Sequence, residues 1–544
     1  MNGKVKIALL VTGLCCVALL GLGTAEYEQA IVTGAGGRVW HHELAAEADV
    51  TLGTTSIPDD FMVDGSFVSH LPLVIVDTFG QEIVNYKYYD PETYSFKVPE
   101  DVDPYVDMHI SVIDNADFVN SLSDQPTYVS EGRIKVRGNS SASFTREKSQ
   151  YLIKLSDEEG NKNYLSMMGM EPSDTWILNG TVIDRSYMRN YLALNTAGEL
   201  DPFTPDIRMC EVVFKNGDQY EYMGLYGMYE KIEQGEGSVD IKPVSNPISI
   251  SDRSYLLLRD RLDATSRYME VWSTNNVSAL DSVHHVGENW VNLEYPSASN
   301  ITNEYWEYIQ RDIYQIEEAL YSDDPETFLQ YRKLLDVDSF IDYCILNKFF
   351  LSYDAGWNST FLYKNAKGTV SIGPVWDFDG AMDNFDDELA VLGVFPFVSS
   401  PWFDRLCRDE DFVVALIKRY NELRKTLLND ETIANKMSQT ADFLEFPALR
   451  DMDRWAGKNH YVLADREDEE TGLLVERQTE DFRSEVQRTQ DVLQLHAEQM
   501  DNNWYNYLSL FFLPLETHMS LGGWLMIAAF FVSIILVQRH RKGM

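Results

Sequence analysis

Between Asp354 and Asp379 the chain places a carboxylate, then the amide of Asn358, then an apolar hairpin and the acid pair of Trp376-Asp377-Phe378-Asp379. Phosphoryl transfer uses this set: a carboxylate to orient and deprotonate a hydroxyl, and an Asn and an Asp to hold Mg²⁺ on phosphate oxygens. Asp and Asn are also frequent turn formers. The same residues therefore also read as a loop and hairpin whose acids only cap helices and turns.

Upstream, Arg137-Gly138-Asn139-Ser140-Ser141 joins two alternating runs, Arg133 to Arg137 and Tyr151 to Leu155. A Gly/Ser-rich turn exposes backbone N–H groups and hydroxyls that can cradle phosphate oxygens. Lys148, at the start of the second strand, would set a point positive charge against α- and β-phosphates. Glu230 ends the strand Gly224 to Tyr229, where an acid could pair with Lys148 and hold it toward a nucleotide; Lys154 is the alternative partner. Arg185 and Arg189 share one face of an early helix and could reach phosphates or hold an acid. A hairpin turn, a strand-end charge and a structural ion pair are the plain readings of these residues.

The elements that must position these groups change character along the chain. Period-two alternation predicts strands at Leu71 to Val76, Met108 to Ile113, Arg133 to Arg137, Tyr151 to Leu155, Thr175 to Leu178, Glu211 to Phe214 and Gly224 to Tyr229. Asn216-Gly217 marks a hairpin between the last two. Asp184 is a helix N-cap for a segment reaching Leu200. The second half is helical: Glu304 to Tyr321, with Tyr305, Ile309, Ile313, Ile316 and Leu320 on one stripe; Asp338 to Leu351, leading into Asp354; Asp409 to Leu428; and Asp430 to Leu444. A charged helix from about Asp468 to Met500 reads as a solvated stalk. Residues 26–69 read as a lead-in or linker.

With 544 residues the chain has room for more than one sizeable core. A formal net charge of −41 repels phosphate over most of the surface and argues against nucleic-acid binding. Lys4 and Lys6, the apolar run Ile7 to Leu22 and Gly23-Thr24-Ala25 read as a signal peptide over residues 1–25. Leu521 to Val537, followed by Arg539, Arg541 and Lys542, predicts a transmembrane helix over 521–538 with a basic cytoplasmic tail at 539–544. An aromatic interfacial segment at 504–520 precedes it. These ends imply a single-pass protein of the cell membrane with its main domain outside the cytoplasm. Cys210, Cys344 and Cys407 form no disulfide framework, being either three buried thiols or one bridge and a free thiol. His41-His42 and His284-His285 lack metal-ligand spacing and read as surface or loop residues.

As an ordered set these motifs resemble the CotH kinase family, the spore-coat-protein-H-like proteins. The resemblance rests on Arg137-Gly-Asn-Ser-Ser141, Lys148 to Lys154, Trp176 with Asp184 and Arg189-Asn190, Gly224-Leu-Tyr226 with Glu230, Asp354…Asn358…Tyr363, and Trp376-Asp-Phe-Asp379, and covers about residues 70–430. It implies an α+β, atypical protein-kinase-like fold with a β-rich N-terminal half and a helical C-terminal half; the helical extension over 431–503 and the transmembrane helix are departures from the family. It further implies ATP and Mg²⁺ or Mn²⁺ as cofactors, and a serine-bearing, exported or cell-surface protein as substrate. In that resemblance Asp354 corresponds to the catalytic base. Asn358, Asp377 and Asp379 correspond to metal ligands, Lys148 to the nucleotide lysine and Glu230 to its partner. A catalytically inactive surface-binding protein, and phosphoryl or nucleotidyl transfer to a wall polymer, are the rival readings of the same residues.

Overall fold

The computed structural model describes residues 37–510 apart from 91–94, 139–147, 181–182, 245–252, 264, 272, 274–288, 385–399, 457–464, 468–473 and 476. Seven strands of the first half form the body of one sheet, with the short strand Met62–Val63 added along the last of them: β1 (Leu73–Asp77), β2 (Val106–Ile113), β3 (Tyr128–Val136), β4 (Tyr151–Ser156), β5 (Thr175–Asn179), β6 (Ile207–Asn216) and β7 (Gln219–Glu230). Pairing runs β7-β5-β4-β3-β2-β1-β6, and β6 also pairs with β7, so the sheet closes on itself as a barrel. Only the β6–β1 ladder is parallel. Closure leaves the barrel strands without a free edge.

The alternation of each strand fills the barrel. Val74, Val76, Ile110, Val112, Ile134, Val136, Ile153, Leu155, Trp176, Leu178, Val212 and Met228 meet in one apolar cluster. The opposite faces of β5, β6 and β7 present Ile177, Met209, Leu225 and Tyr229 to the main core. The expected hairpin is present: Asn216 pairs with Gln219, and Gly217 supplies the positive φ of the turn.

Residues ahead of the barrel are packed rather than linker-like. Trp40 is buried, and α1 (His41–Leu44) lies against the barrel and the helical region. His41 and His42 are therefore interior residues, contrary to the surface reading. His41 Nδ1 lies 3.1 Å from the N–H of Met209. His42 lies 3.1 Å from the Tyr191 hydroxyl. The second histidine pair lies outside the described residues.

A second sheet follows the barrel, of which the sequence reading anticipated only the apolar hairpin ahead of Trp376. Strands β8 (Tyr255–Arg261), β9 (Tyr268–Met269), β10 (Asn289–Tyr295), β11 (Thr360–Lys364) and β12 (Val370–Ile372) pair antiparallel in the order β9-β10-β8-β11-β12. The helices around it are α2 (Arg189–Ala197), α3 (Asn303–Leu320), α4 (Val337–Phe349), α5 (Glu410–Leu423), α6 (Asp430–Arg454) and α7 (Phe482–Leu510). Thr302 caps α3, and its expected stripe is buried. The three cysteines are buried thiols.

Helix α6 runs past the predicted end at Leu444 and drives its last turn against the barrel. Arg450 pairs with Glu211 at 2.7 Å and Arg454 with Glu221 at 2.9 Å. Asp451 Oδ1 lies 2.6 Å from Lys148 Nζ and accepts the Leu225 N–H at 2.8 Å. A side chain at Gly224 would collide with the Asp451 carboxylate, so the glycine is what lets the helix approach.

Helix α7 is not a solvated stalk. Phe482, Val486, Leu493, Ala497 and Met500 join the main core. Its charges are internal partners: Glu485 pairs with Arg189 and Arg488, and Arg488 with Asp383. Charge density reads as solvent exposure only when the partners are unknown.

Among the described residues no helix is long and apolar enough to cross a membrane. The expected transmembrane helix, and the single-pass placement in the cell membrane built on it, are corrected accordingly. The run 521–538 itself lies outside the described residues, as do 1–25, 511–520 and 539–544.

Removing one partner of the buried Lys148–Asp451 pair strands a charge. Asp451→Ala is expected to lose roughly 3–5 kcal/mol in urea unfolding. The double variant Lys148→Met/Asp451→Asn should lose much less. Equal losses would show that the pair does not act as a unit.

Candidate active site

The acids stand where the second sheet meets the barrel. After α4 the chain turns through Asp354-Ala355-Gly356-Trp357-Asn358 into β11. The Asp354 carbonyl accepts the N–H groups of Trp357 at 3.1 Å and Asn358 at 3.0 Å, making one closed turn. Gly356, at φ +84°, pins this turn to both neighbouring strands. Its carbonyl accepts Arg259 Nη1 at 3.2 Å, and its N–H donates to Thr360 Oγ1 at 2.9 Å. Cβ on Gly356 would press within 2.7 Å of Ser400 Cβ.

The turn brings Asp354 and Asn358 together. Asn358 Nδ2 donates to Asp354 Oδ1 at 2.7 Å, while Asn358 Oδ1 is buried without a hydrogen-bond partner. Burial pushes the Asp354 carboxyl up to about 7. The Asn358 bond and Arg261 oppose the shift, and Asp377 and Asp260 add to it. A carboxylate poised near 7 can exchange a proton at neutral pH.

The second acid cluster alternates outward and inward. Phe378 is in the core, its ring edge-on to Phe350 at 6.0 Å. Asp377 on one side is exposed at φ +68°, and Ser359 Oγ donates to its Oδ2 at 3.1 Å. Asp379 on the other side is buried. Asn190, on the first turn of α2, donates to Asp379 Oδ1 at 3.1 Å and accepts the Phe378 N–H at 2.7 Å. Burial, then the neighbouring Asp377, raise the Asp379 carboxyl well above its ordinary range.

Met382 and Asp383 also have positive φ, so three non-glycine residues of one short loop sit in a disfavoured region. The loop is held there from behind. Arg189 Nε donates to the Ala381 carbonyl at 3.1 Å, and Arg488 Nη1 to the Asp383 carbonyl at 3.2 Å. Asn384 Nδ2 bridges to the carbonyls of Ile183 and Asp379.

The barrel contributes Arg137, directly after β3. Its guanidinium lies 5.8 Å from the Trp376 ring, and Trp376 meets Tyr229 edge-on. Burial pushes the Arg137 pKa down, and the charges of Asp377 and Asp379 act against that. Asn139, Ser140 and Ser141 lie outside the described residues.

Other expected site residues are elsewhere. Lys148 is fully buried against Asp451 and the Leu225 carbonyl, so it does not pair with Glu230. Glu230 instead accepts the backbone N–H groups of Glu171 at 3.0 Å and Asp206 at 2.8 Å, and burial pushes its carboxyl up to about 7. Lys154 points outward over the Tyr105 ring at 5.1 Å. Arg189 holds acids rather than phosphate: Asp184 and Glu485 flank it. Asp260 and Arg261, at the end of β8, were missed. Their signal was the apolar run Tyr255 to Leu258 leading into Arg259-Asp260-Arg261.

Among the described residues no three His, Cys, Asp or Glu side chains converge as a metal cage. Mg²⁺ at phosphoryl-transfer sites asks less, taking one or two carboxylates and completing its shell with phosphate and water oxygens. The exposed Asp377 carboxylate and the unpartnered Asn358 oxygen are hard donors of the right kind. A closed turn with a carboxylate and an amide thus lies within electrostatic reach of the acid loop.

The CotH kinase protein family matches residues 134–500, more than half of the sequence, and the chain belongs to that family. The matched region takes in both acid clusters and extends through α6 and most of α7. A search of curated proteins returns no match.

Folding raises the Asp354 pKa from 3.8 to about 7, so the folded state holds the proton more tightly. That contribution is complete below 3.8 and is lost as pH rises toward 7. Asp354→Asn should therefore raise the thermal midpoint more at pH 8 than at pH 4. An equal change at both pH values would mean that Asp354 titrates as an ordinary carboxylate.

Proposed function

We propose that this chain transfers the γ-phosphate of ATP, bound with Mg²⁺ or Mn²⁺, to a serine or threonine hydroxyl of a protein. The observation that carries this reading is the Asp354–Asn358 turn. One side chain fixes the other through Nδ2, leaving a carboxylate with a pKa near 7 and a bare amide oxygen beside the Asp377 loop. Membership of the CotH kinase family supports the same class of chemistry.

In this reading Asp354 orients the acceptor hydroxyl and takes its proton as the new O–P bond forms. Asn358 Oδ1 and Asp377 would hold the divalent ion, with Asp379 behind them as a second acid. The ion, when bound, neutralises charge on the β- and γ-phosphates. Arg137 places a fixed positive charge across from the acids, nearer to them than Lys148, whose charge is already matched by Asp451. Positioning and electrostatics supply most of the rate for this kind of transfer.

Incubation of the purified protein with γ-labelled ATP and Mg²⁺ or Mn²⁺ tests the reading. Label should enter the chain itself or an added Ser-rich acceptor, with a phosphate-sized mass gain. Asp354→Asn and Asp377→Ala should each lower the rate by at least about 100-fold. The wild-type rate should rise with pH through about 7 as Asp354 ionises. A nucleotide-sized gain would replace phosphorylation by nucleotidyl transfer. No label and no ATP binding with either metal would leave a binding protein on the same fold.

A further inference from the structure

The lysine expected to meet the nucleotide, Lys148, is buried and its charge is matched by Asp451. A different lysine stands at the junction. Lys87 lies between β1 and β2, ahead of the residues that the family match covers. Its Nζ comes within 3.4 Å of the Gly138 carbonyl, which places the amine at the end of β3, next to Arg137. The chain at Lys87 is half-buried.

The charges that act on this amine come from both halves of the molecule. Burial is the largest influence and lowers its pKa to about 8. Lys135 and Arg137, from the barrel, lower it further, and Asp263 and Asp260, beyond the end of β8, oppose them. Asp260 in turn acts on Asp354 and feels Asp377. The amine is thus held at the end of β3, where Lys135 and Arg137 repel its charge and Asp260 and Asp263 favour it. A bound polyanion would offset the mutual repulsion of Lys87, Lys135 and Arg137 at this strand end.

We propose that Lys87 contacts the phosphoryl oxygens of the bound nucleotide, working beside Arg137 as the second cation of the phosphate subsite. The proposal rests on the kinase reading above and adds to it a ligand-binding residue from outside the family-matched region. A compact ammonium suits a triphosphate as a point charge, while the Arg137 guanidinium supplies a planar fork.

Equilibrium binding of Mg-ATP, Mg-ADP and AMP to the full chain tests this with Lys87→Ala and Lys87→Arg. Lys87→Ala should weaken ATP by about tenfold and AMP by much less, because the loss scales with phosphate number. Lys87→Arg should retain most of the affinity, and thermal unfolding of both variants should match wild type. In the wild-type chain, an amine-reactive ester at pH 8 should modify Lys87, and saturating Mg-ATP should block that modification. Wild-type ATP affinity in Lys87→Ala, or labelling of Lys87 that ATP leaves unchanged, would overturn this assignment and leave the kinase reading standing. Failure of the wild-type chain to bind any nucleotide would overturn both.

Discussion

One buried guanidinium joins the parts of this molecule that must cooperate. Arg189 starts α2, is fully buried, and shares its charge between Asp184, which lies ahead of the helix rather than at its expected cap position, and Glu485 on α7. Its remaining donors reach Thr489 and the Ala381 carbonyl of the acid loop. A charge removed from water needs all of its partners in place, or the desolvation cost goes unmet. The loop that carries Asp377 and Asp379 is therefore referenced to the barrel side through α2 and to the C-terminal helix through Glu485. Next to Arg189, Asn190 spends both ends of its amide on Phe378 and Asp379. Two adjacent residues on one helical turn thus set the backbone and the carboxylate of the same loop.

The site that results is electrostatically unbalanced in a directed way. The charge of Asp377 raises the proton affinity of Asp260, Asp354 and Asp379, Asp260 adds to the shift of Asp354, and Arg261 and Arg137 supply the opposite charge. Strained backbone at Asp377, Met382 and Asp383 is tolerated because Arg189, Arg488 and Asn384 over-determine the loop. Carboxylates at this density favour either protons or a divalent cation. The cationic side of the cleft favours a polyanion. The two preferences meet at one junction.

The legible part of this protein was its local part. Asp354 and Asn358 could be read together because one helical turn joins them. Trp376 to Asp379 could be read as an acid pair just past a hairpin because the residues are contiguous. The barrel strands were readable because alternation is a two-residue property. Pairings across long separations were not. Lys148 looked like a nucleotide lysine at the start of a strand, and nothing near it in sequence announces Asp451. Helix α7 looked solvated because Glu485 and Arg488 are charged, and their partners lie on other elements. His41 and His42 looked peripheral because the lead-in gives no periodic signal of the packing it makes. Strand β8 was passed over because Leu256, Leu257 and Leu258 run on without alternation before Arg259.

The clamp of α6 on the barrel also has a consequence in time. Lys148 leaves the ribosome long before Asp451, since 303 residues separate them. At roughly 5–20 residues per second that interval is about 15–60 s. Throughout it the barrel strands can pair, but the ammonium at their end has no carboxylate, and Glu211 and Glu221 likewise wait for Arg450 and Arg454. Arg189 waits almost as long for Glu485, 296 residues further on. The nascent chain therefore carries its acid turn and acid loop, both complete in sequence by Asn384, well before the parts that hold them in register. Maturation of the site is a late event of synthesis, set by the arrival of the C-terminal helices.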